Sequence, residues 1–551
     1  MSLQPQLIGP VPEETARVAQ AAFPKGNVYM RLRDELGSLY EDANFAPLFP
    51  IRGQPAETPW RLALVLGLQF AEDLSDREAA EAVRGRIDWK YVLGLELTDP
   101  GFDASVLSEF RSRLIEGAAE RQLLDSMLAR LKTVGLLKAR GRQRTDSTHV
   151  LAAIRVLSRL ELVGETVRHT LNTLATVAPE WLRPQLDPTW AERYGPRFDD
   201  YQLPKEKAAR QALAGVIGID GFRLLEAIYA PEAPTYLRPI PAVETLRRVW
   251  LQQYYGPTEP VRWRTEEDLP PASLRINSPH DLEARYGVKR QTFWVGYKAH
   301  LTETCEDDDN LPNLITNVET TLGSTSDQQV LAPIHEHLSA KDLLPDEHLI
   351  DAGYVDARGI VESRTEHQVE IVGPVPADHS WQAKDSQAFD VSCFALDWQQ
   401  RQATCPESHP STKWSVTHDR LDNEIINIRF AKDLCLVCPV RERCTRSSGG
   451  AREITVRPQA QYEALQAQRQ YQTTDDFKER YGRRAGVEGT ISQGVRVANL
   501  RRARYFGFAK TRLQHVLTAV GLNIRRLGAW WAEVPLGQTR PAPLLALLSA
   551  A

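Results

Sequence analysis

An α/β core, with helical segments ahead of it and inside it, is the fold class this sequence predicts. Between residues 291 and 375 the chain alternates two kinds of run. Residues 291–301 and 314–319 read as strands, 327–338 as a helix, and 348–351 and 369–375 as strands again. This β-β-α-β-(α)-β order is the pattern of a mixed sheet flanked by helices. Leu349 and Ile350 form a short apolar run that stops at Asp351, with Ala352-Gly353 directly after it. A buried strand delivers a carboxylate to the edge of a sheet in this way. The chain has 551 residues, too many for one hydrophobic core, so further domains are expected around the sheet.

Residues 1–138 read as an N-terminal helical domain. Apolar residues recur at helical spacing over 60–72, and Ser75-Asp76-Arg77-Glu78 has the form of a capping box ahead of Ala79, Ala80 and Val83. Asp99-Pro100-Gly101 is a turn, a helix opens after Asp103, and another over 123–134 ends at Gly135. Short helices joined by turns suit a helix-turn-helix DNA binder and suit a dimerisation domain equally well. The first part of the core is expected over 139–375. It is interrupted at about 152–288 by a helical insertion with amphipathic runs at 157–175, 207–217 and 243–255. Arg142-Gln143-Arg144 is a poor start for a strand, so the strand assignment of Asp146 leans on the surrounding pattern. Residues 376–452 turn rich in Cys, Pro, His and Ser and read as a small β insertion. Residues 453–530 return to a strand at 453–456 and then to basic helices that complete the core, and 531–551 form a Pro- and Leu-rich tail.

Composition narrows the function classes. The apolar fraction is 42% and the charged fraction 25%, ordinary values for a soluble globular protein. No window approaches 18 uninterrupted apolar residues, and the N-terminus has no signal-peptide pattern, so a cytoplasmic protein without membrane spans is expected. The net charge of −5 is unfavourable for a nucleic-acid partner until it is resolved by region. Between Lys478 and Arg526, twelve Lys and Arg residues stand against Glu479 and Glu488, a local charge of +10 that leaves −15 for the remainder. Tyr505, Phe506 and Phe508 interleave with these cations, a pattern suited to a DNA backbone and its bases, whereas a solvated helical face is the plain alternative.

Three carboxylates carry the proposed chemistry: Asp146 in Arg-Thr-Asp-Ser-Thr-His, Asp351, and Glu488. Tyr481, Arg484 and Glu488 stand at i, i+3, i+7, one face of a helix. A carboxylate flanked by a guanidinium and a phenol suggests a metal facing a phosphate. Together the three acids can hold two Mg²⁺ ions roughly 3.5–4 Å apart for in-line phosphoryl transfer without a protein nucleophile, and Mn²⁺ is expected to substitute. Unrelated surface acids are the alternative. A second constellation, Cys405, Cys435-x₂-Cys438 and Cys444, has the spacing of a structural Zn²⁺ site, with His409, His418 and Cys393 as substitute ligands. Cys305 stands alone. Lys298 and His300 share one strand face and can reach phosphate if that strand borders the metal site, while His149 and His300 are more simply structural.

The segments Thr145-Asp146-Ser147-Thr148, Asp351-Ala352-Gly353-Tyr354 and Tyr481-x₂-Arg484-x₃-Glu488 resemble the signature of bacterial insertion-sequence transposases of the Asp-Asp-Glu class. In that Tyr-Arg-Glu-Lys signature the position of the final basic residue is here Val495, with Arg496 beside it. The similarity runs from about residue 27 to 528 and includes Arg501-Arg502-Ala503-Arg504-Tyr505-Phe506-Gly507 and Ala509-Lys510-Thr511. The resemblance implies an RNase H-like core and metal-dependent cutting of double-stranded transposon ends, followed by joining of their 3′-hydroxyls to target DNA. It also implies a homodimer in the active complex and a bacterial cytoplasmic protein that is nucleoid-associated when bound. Tyr481 and Arg484 are then expected at the scissile phosphate, and Arg496, Arg501, Arg502, Arg504, Lys510 and Lys298 along the DNA. A nuclease that cuts without joining, and a catalytically silent DNA-binding protein, are the alternatives.

Overall fold

The computed structural model describes residues 2–534, apart from 4, 6, 7, 258, 259, 290, 307–309, 420, 421 and 449. The tail expected beyond 531 lies, from 535 onward, outside the described residues.

A mixed sheet organises the chain. Its strands are β1 (Arg142–Leu151), β2 (Arg285–Lys289), β3 (Thr292–Thr304), β4 (Ile315–Leu322), β5 (Glu347–Ile350) and β6 (Glu370–Val372). The order is β2-β3-β1-β5-β6, with β4 also paired to β3. β3 runs antiparallel to β1, β2 and β4, whereas β5 is parallel to β1 and to β6. The poor-propensity opening Arg142-Gln143-Arg144 is strand after all. Arg142 pairs with Glu347 and Arg144 with Glu303, so buried charge pairing offsets weak β preference. β2 was read as the end of the helical insertion. Arg285-Tyr286-Gly287-Val288-Lys289 is too short and too glycine-interrupted to announce a strand, and its partner β3 supplies the order. At Gly296, φ is +153°, and a Cβ would meet the Val150 carbonyl oxygen at 2.2 Å, so only glycine lets β3 bend there beside the end of β1.

The helices of 1–138 share one core with the sheet. Helix Pro59–Glu72 is buried almost all round and packs on helix Phe508–Trp531, with Gly67 against Val520 and Ile524 and Gly521 against the Phe70–Ala71 backbone. Ser75 and Glu78 form the expected reciprocal cap. The insertion folds on its own centre, where helices Arg159–Val177, Lys207–Tyr229 and Pro241–Gln253 enclose Val163, Val167, Leu224 and Trp250. Residues 376–456 form a third body of short strands: β7 (Ala395–Asp397) with β8 (Gln402–Thr404), and β9 (Ser411–His418), β10 (Glu424–Phe430) and β11 (Glu453–Val456) in the order β11-β10-β9. The strand at 453–456, expected to return to the core, instead closes this small sheet. Ile454 and Val456 bury against Ile426 and Ile428, the nearest apolar strand face in sequence. Among the described residues no helix is long and apolar enough to cross a membrane.

Candidate active site

Register brings the first two acids together. Thr145 of β1 lies across from Ile350 of β5 in a parallel pair, so Asp146 and Asp351 are the next residues along two adjacent strands. Each aspartate holds itself in the same way: Asp146 Oδ1 accepts the Ser147 amide at 2.7 Å and Asp351 Oδ1 accepts the Ala352 amide at 2.7 Å. Each therefore keeps Oδ2 for another partner. Both Oδ2 atoms face one nitrogen, Arg484 Nη2, at 2.9 Å for Asp146 and 3.7 Å for Asp351. The other terminal nitrogen, Nη1, stands 3.7 Å from Glu488 Oε1. One guanidinium thus gathers carboxylates from three distant stretches of sequence.

The Arg484 side chain is reached through two helical segments joined by a short 3-10 turn. Tyr481 lies in helix Asp475–Gly482, Arg484 in the turn Arg483–Ala485, and Glu488 in helix Gly486–Ala498. Tyr481 stacks on Phe477 at 5.2 Å and lies under the guanidinium at 5.9 Å. Burial opposes the charge on Arg484, yet Asp146, Tyr481 and the other two acids prevail and raise its pKa. Burial likewise pushes the Asp146 carboxyl up, and Arg484 and Lys289 pull against it. Side-chain exposure rises from 10% at Asp146 through 43% at Asp351 to 69% at Glu488, so the site opens to solvent on the Glu488 side.

Behind the aspartates is a buried hydrogen-bond buckle that the sequence did not announce. Ser147 Oγ donates to Asp327 Oδ2 at 3.0 Å, and Lys298 Nζ donates to Asp327 Oδ1 at 2.8 Å and to the Thr325 carbonyl at 2.7 Å. The Tyr354 hydroxyl is 2.6 Å from His300 Nδ1, whose Nε2 is 2.9 Å from Thr321 Oγ1. Tyr354 also hydrogen-bonds Ser147, and its amide donates to the Asp351 carbonyl at 2.9 Å. The neighbours of both aspartates are thereby tied to one another. On the other side, Glu303 is wholly buried and receives Arg144, Arg526 and Thr490 at 2.6, 2.7 and 2.5 Å, while Arg144 Nη1 donates to the Arg483 carbonyl. This cluster fixes the Glu488 helix to β1 and β3. A carboxylate at the threonine-flanked end of β3, Thr302-Glu303-Thr304, is the one sequence signal for it.

Two comparisons with known families bear on this geometry. Residues 404–528 match the family described as a transposase DDE domain, and residues 17–113 match one described as a transposase domain. The chain carries the domains of an insertion-sequence DDE transposase. The DDE match spans Tyr481, Arg484 and Glu488, and Asp146 and Asp351 lie outside both matches. No curated protein and no solved structure matches the chain.

Among the described residues of the transposase, no group of three or more His, Cys, Asp or Glu side chains is arranged to hold a metal ion. The three acids are gathered on a guanidinium instead. Their chemistry suits a hard divalent cation, since both aspartate Oδ2 atoms are free of backbone bonds and already share one positively charged neighbour. Arg484 Nε is buried with no hydrogen-bond partner, a donor left for an incoming acceptor.

Much of the basic run from 478 to 526 is consumed inside the molecule. Arg504 lies 4.6 Å over the Phe70 ring and pairs with Asp73, Arg512 pairs with Glu120, Arg526 with Glu303, and Arg480 with Glu347 and Glu370. Arg504 and Lys298, both expected along DNA, are largely buried, and each pairs with a carboxylate, Asp73 and Asp327 respectively. Arg496, Arg501, Arg502 and Lys510 are exposed, and Arg501 Nε donates to Thr148 Oγ1 at 2.9 Å. His149 sits beside the Trp294 ring at 5.5 Å, the packing role that its strand position suggested.

Cys405, Cys435, Cys438 and Cys444 line one recess of the small module, together with His409. The His409 amide donates to Cys405 Sγ at 3.4 Å, and burial first of all pushes the Cys444 thiol up to about 11, with the other three thiols adding to it. All six cysteines are free, and the closed tetrahedral site that the spacing predicts is not formed among the described residues. Cys393 is exposed and Cys305 is buried in the core beside Leu349.

Proposed function

We propose that the transposase cuts DNA at the ends of a mobile element and joins the freed 3′-hydroxyls to target DNA, using Asp146, Asp351 and Glu488 as its acidic triad. The observation that carries this reading is the single guanidinium of Arg484 within reach of all three carboxylates. The strand order, with β3 antiparallel to both β1 and β4 and with β5 and β6 parallel to β1, supports an RNase H-like core. Two Mg²⁺ ions, or Mn²⁺ in their stead, would be held by the triad and would supply activation of the attacking oxygen and charge relief at the leaving one. Asp146 and Asp351 orient their Oδ2 atoms by spending Oδ1 on their own backbone. Arg484 offers its unpartnered Nε to a phosphate oxygen, with Tyr481 fixing the plane of the guanidinium. The four cysteines would hold a structural Zn²⁺ that stiffens the module between the core strands and the Glu488 helix.

An assay with Mg²⁺ and labelled end DNA tests the reading. Asp146→Ala, Asp351→Ala and Glu488→Ala are each expected to abolish cleavage while DNA affinity survives, and full cutting by any one of them removes that residue from the triad. Pre-cut ends that are joined to a target plasmid distinguish transposition from a nuclease that stops at cutting. Two ends must be paired, so the active complex is expected to hold at least two copies of the chain.

A further inference from the structure

The hairpin of β2 and β3 has its polarity inverted. Pairing sets Tyr286 opposite Val295 and Val288 opposite Phe293, so these four share one face of the ribbon. On the other face, Trp294 covers Gly287, donates its indole N–H to the Tyr297 carbonyl at 3.0 Å and packs on His149. That face is turned into the molecule. Val295 is buried at the base of the first face. The part of that face beyond it is open to solvent and should be polar, yet Tyr286, Val288 and Phe293 are 40%, 53% and 62% exposed. The Tyr286 and Phe293 rings lie nearly parallel, 21° apart with centroids at 6.0 Å.

The hairpin is also fastened to the candidate active site. Lys289, paired across the ribbon with Thr292, donates through Nζ to the Ser147 carbonyl at 3.2 Å, one residue past Asp146. Phe293 is the next residue after Thr292. A lysine side chain plus one strand spacing therefore keeps its backbone within roughly 25 Å of Asp146, a span of several nucleotides. Between them, exposed Lys289 and Arg501 both border β1, at Ser147 and at Thr148. Cations over that interval suit phosphates, and the rings beyond them suit bases.

We propose that Tyr286 and Phe293 form a stacking platform for an unpaired base of the DNA strand that leaves the carboxylate site. This rests on the reading of that site as acting on DNA. Ring faces accept any base, so the platform selects splayed over paired DNA and carries no sequence code. Val288 widens the apolar seat. Lys289 and Arg501 hold the backbone leading to it.

Binding to two DNA probes tests the proposal without requiring cleavage: a blunt duplex, and the same duplex with a forked end carrying 5-iodouracil at the first unpaired positions. The wild-type protein is expected to prefer the fork by about fivefold or more and to photo-crosslink at Tyr286 or Phe293. Phe293→Ala combined with Tyr286→Ala should remove the preference and the crosslink, with blunt-duplex affinity and melting temperature unchanged because both rings are exposed. Phe293→Trp should restore the preference. A wild-type protein that binds duplex DNA without favouring the fork overturns the platform while leaving the triad standing, as does a double variant that keeps the preference. Loss of a dimer in the double variant, with fork preference intact, assigns the face to a second copy of the chain instead. A wild-type protein that binds neither probe overturns the functional reading along with the platform.

Discussion

Arg484 behaves as an internal counter-ion, and most of the site's geometry follows from it. Without it, Asp146, Asp351 and Glu488 would repel one another, and the buried Asp146 would lose the strongest charge opposing its protonation. Arg484→Ala is expected to slow cleavage on the order of 100-fold, the scale of a small misplacement of reacting groups, with little change in DNA affinity. Arg484→Lys should not rescue it, since one ammonium cannot reach both sides of the triad. A single-turnover rate compared with a binding isotherm decides the matter, and an equal loss in both would make Arg484 a binding residue. Glu303 is the complementary case. Glu303→Gln leaves Arg144 and Arg526 facing a neutral amide in a buried setting and should cost roughly 3–5 kcal/mol in urea unfolding. Asp351, Arg484 and Glu488 stand out because each sits in a local pattern, a strand end or a helical spacing beside a phenol, whereas Asp146 follows the poor strand opening Arg142-Gln143-Arg144 and leans on the surrounding pattern. Asp327 and Ser147 were not, because nothing in Ser-Thr-Ser-Asp announces that it will fold back 180 residues onto Ser147.

Helix Phe508–Trp531 crosses helix Pro59–Glu72 at close backbone approach. A Cβ on Gly521 would stand 2.7 Å from the Ala71 nitrogen, a backbone atom that cannot yield. Gly521→Ala should destabilise by roughly 1–3 kcal/mol, whereas Gly489→Ala, where a Cβ meets nothing within 4 Å, should stabilise by roughly 0.5–1 kcal/mol. Opposite shifts of the urea midpoint are expected, the larger one for Gly521→Ala, and a stable Gly521→Ala protein would mean that the helices can separate. In the small module, elemental analysis is expected to find about one zinc per chain, and Cys438→Ser should lose it and expose residues 376–452 to protease. Zinc retained after two cysteine substitutions would end that assignment. Helix positions were readable throughout because amphipathic spacing and caps are local. β2 and the partner of β11 were not, because strand pairing is decided by neighbours far away in sequence.

At the scale of the whole molecule, acid should be the condition that undoes the fold. His300 is pushed down to about 4 and His335 and His515 to about 3, and His348 falls well below the ordinary range, in each case by burial first of all. The folded protein keeps these imidazoles neutral, while the unfolded chain takes up their protons as pH falls through about 6.5. Stability is therefore complete above that pH and declines below it, by up to about 1.4 kcal/mol per pH unit for each imidazole, until the folded pKa values are reached. Glu319, held at about 2 by His337 and Arg121 against its burial, adds to the loss only below about pH 4.5. Urea midpoints at pH 7.5, 6.5 and 5.5 should fall a little across the first interval and more steeply across the second, and a flat profile to pH 5 would contradict the buried neutral state.

The core shared by the N-terminal helices and helix Phe508–Trp531 has a consequence for synthesis. Arg31 donates to the Trp531 carbonyl and stacks over that indole, and Pro59–Glu72 has Phe508–Trp531 as its main cover. A ribosome that has delivered both aspartates still holds the glutamate and the helix that the N-terminal segment must wait for. Nascent chains therefore emerge with an uncovered apolar helix and an incomplete acid set. A chain cut short before residue 531 is expected to leave helix Pro59–Glu72 uncovered and to be recovered as aggregate, and a soluble, folded truncation would contradict this.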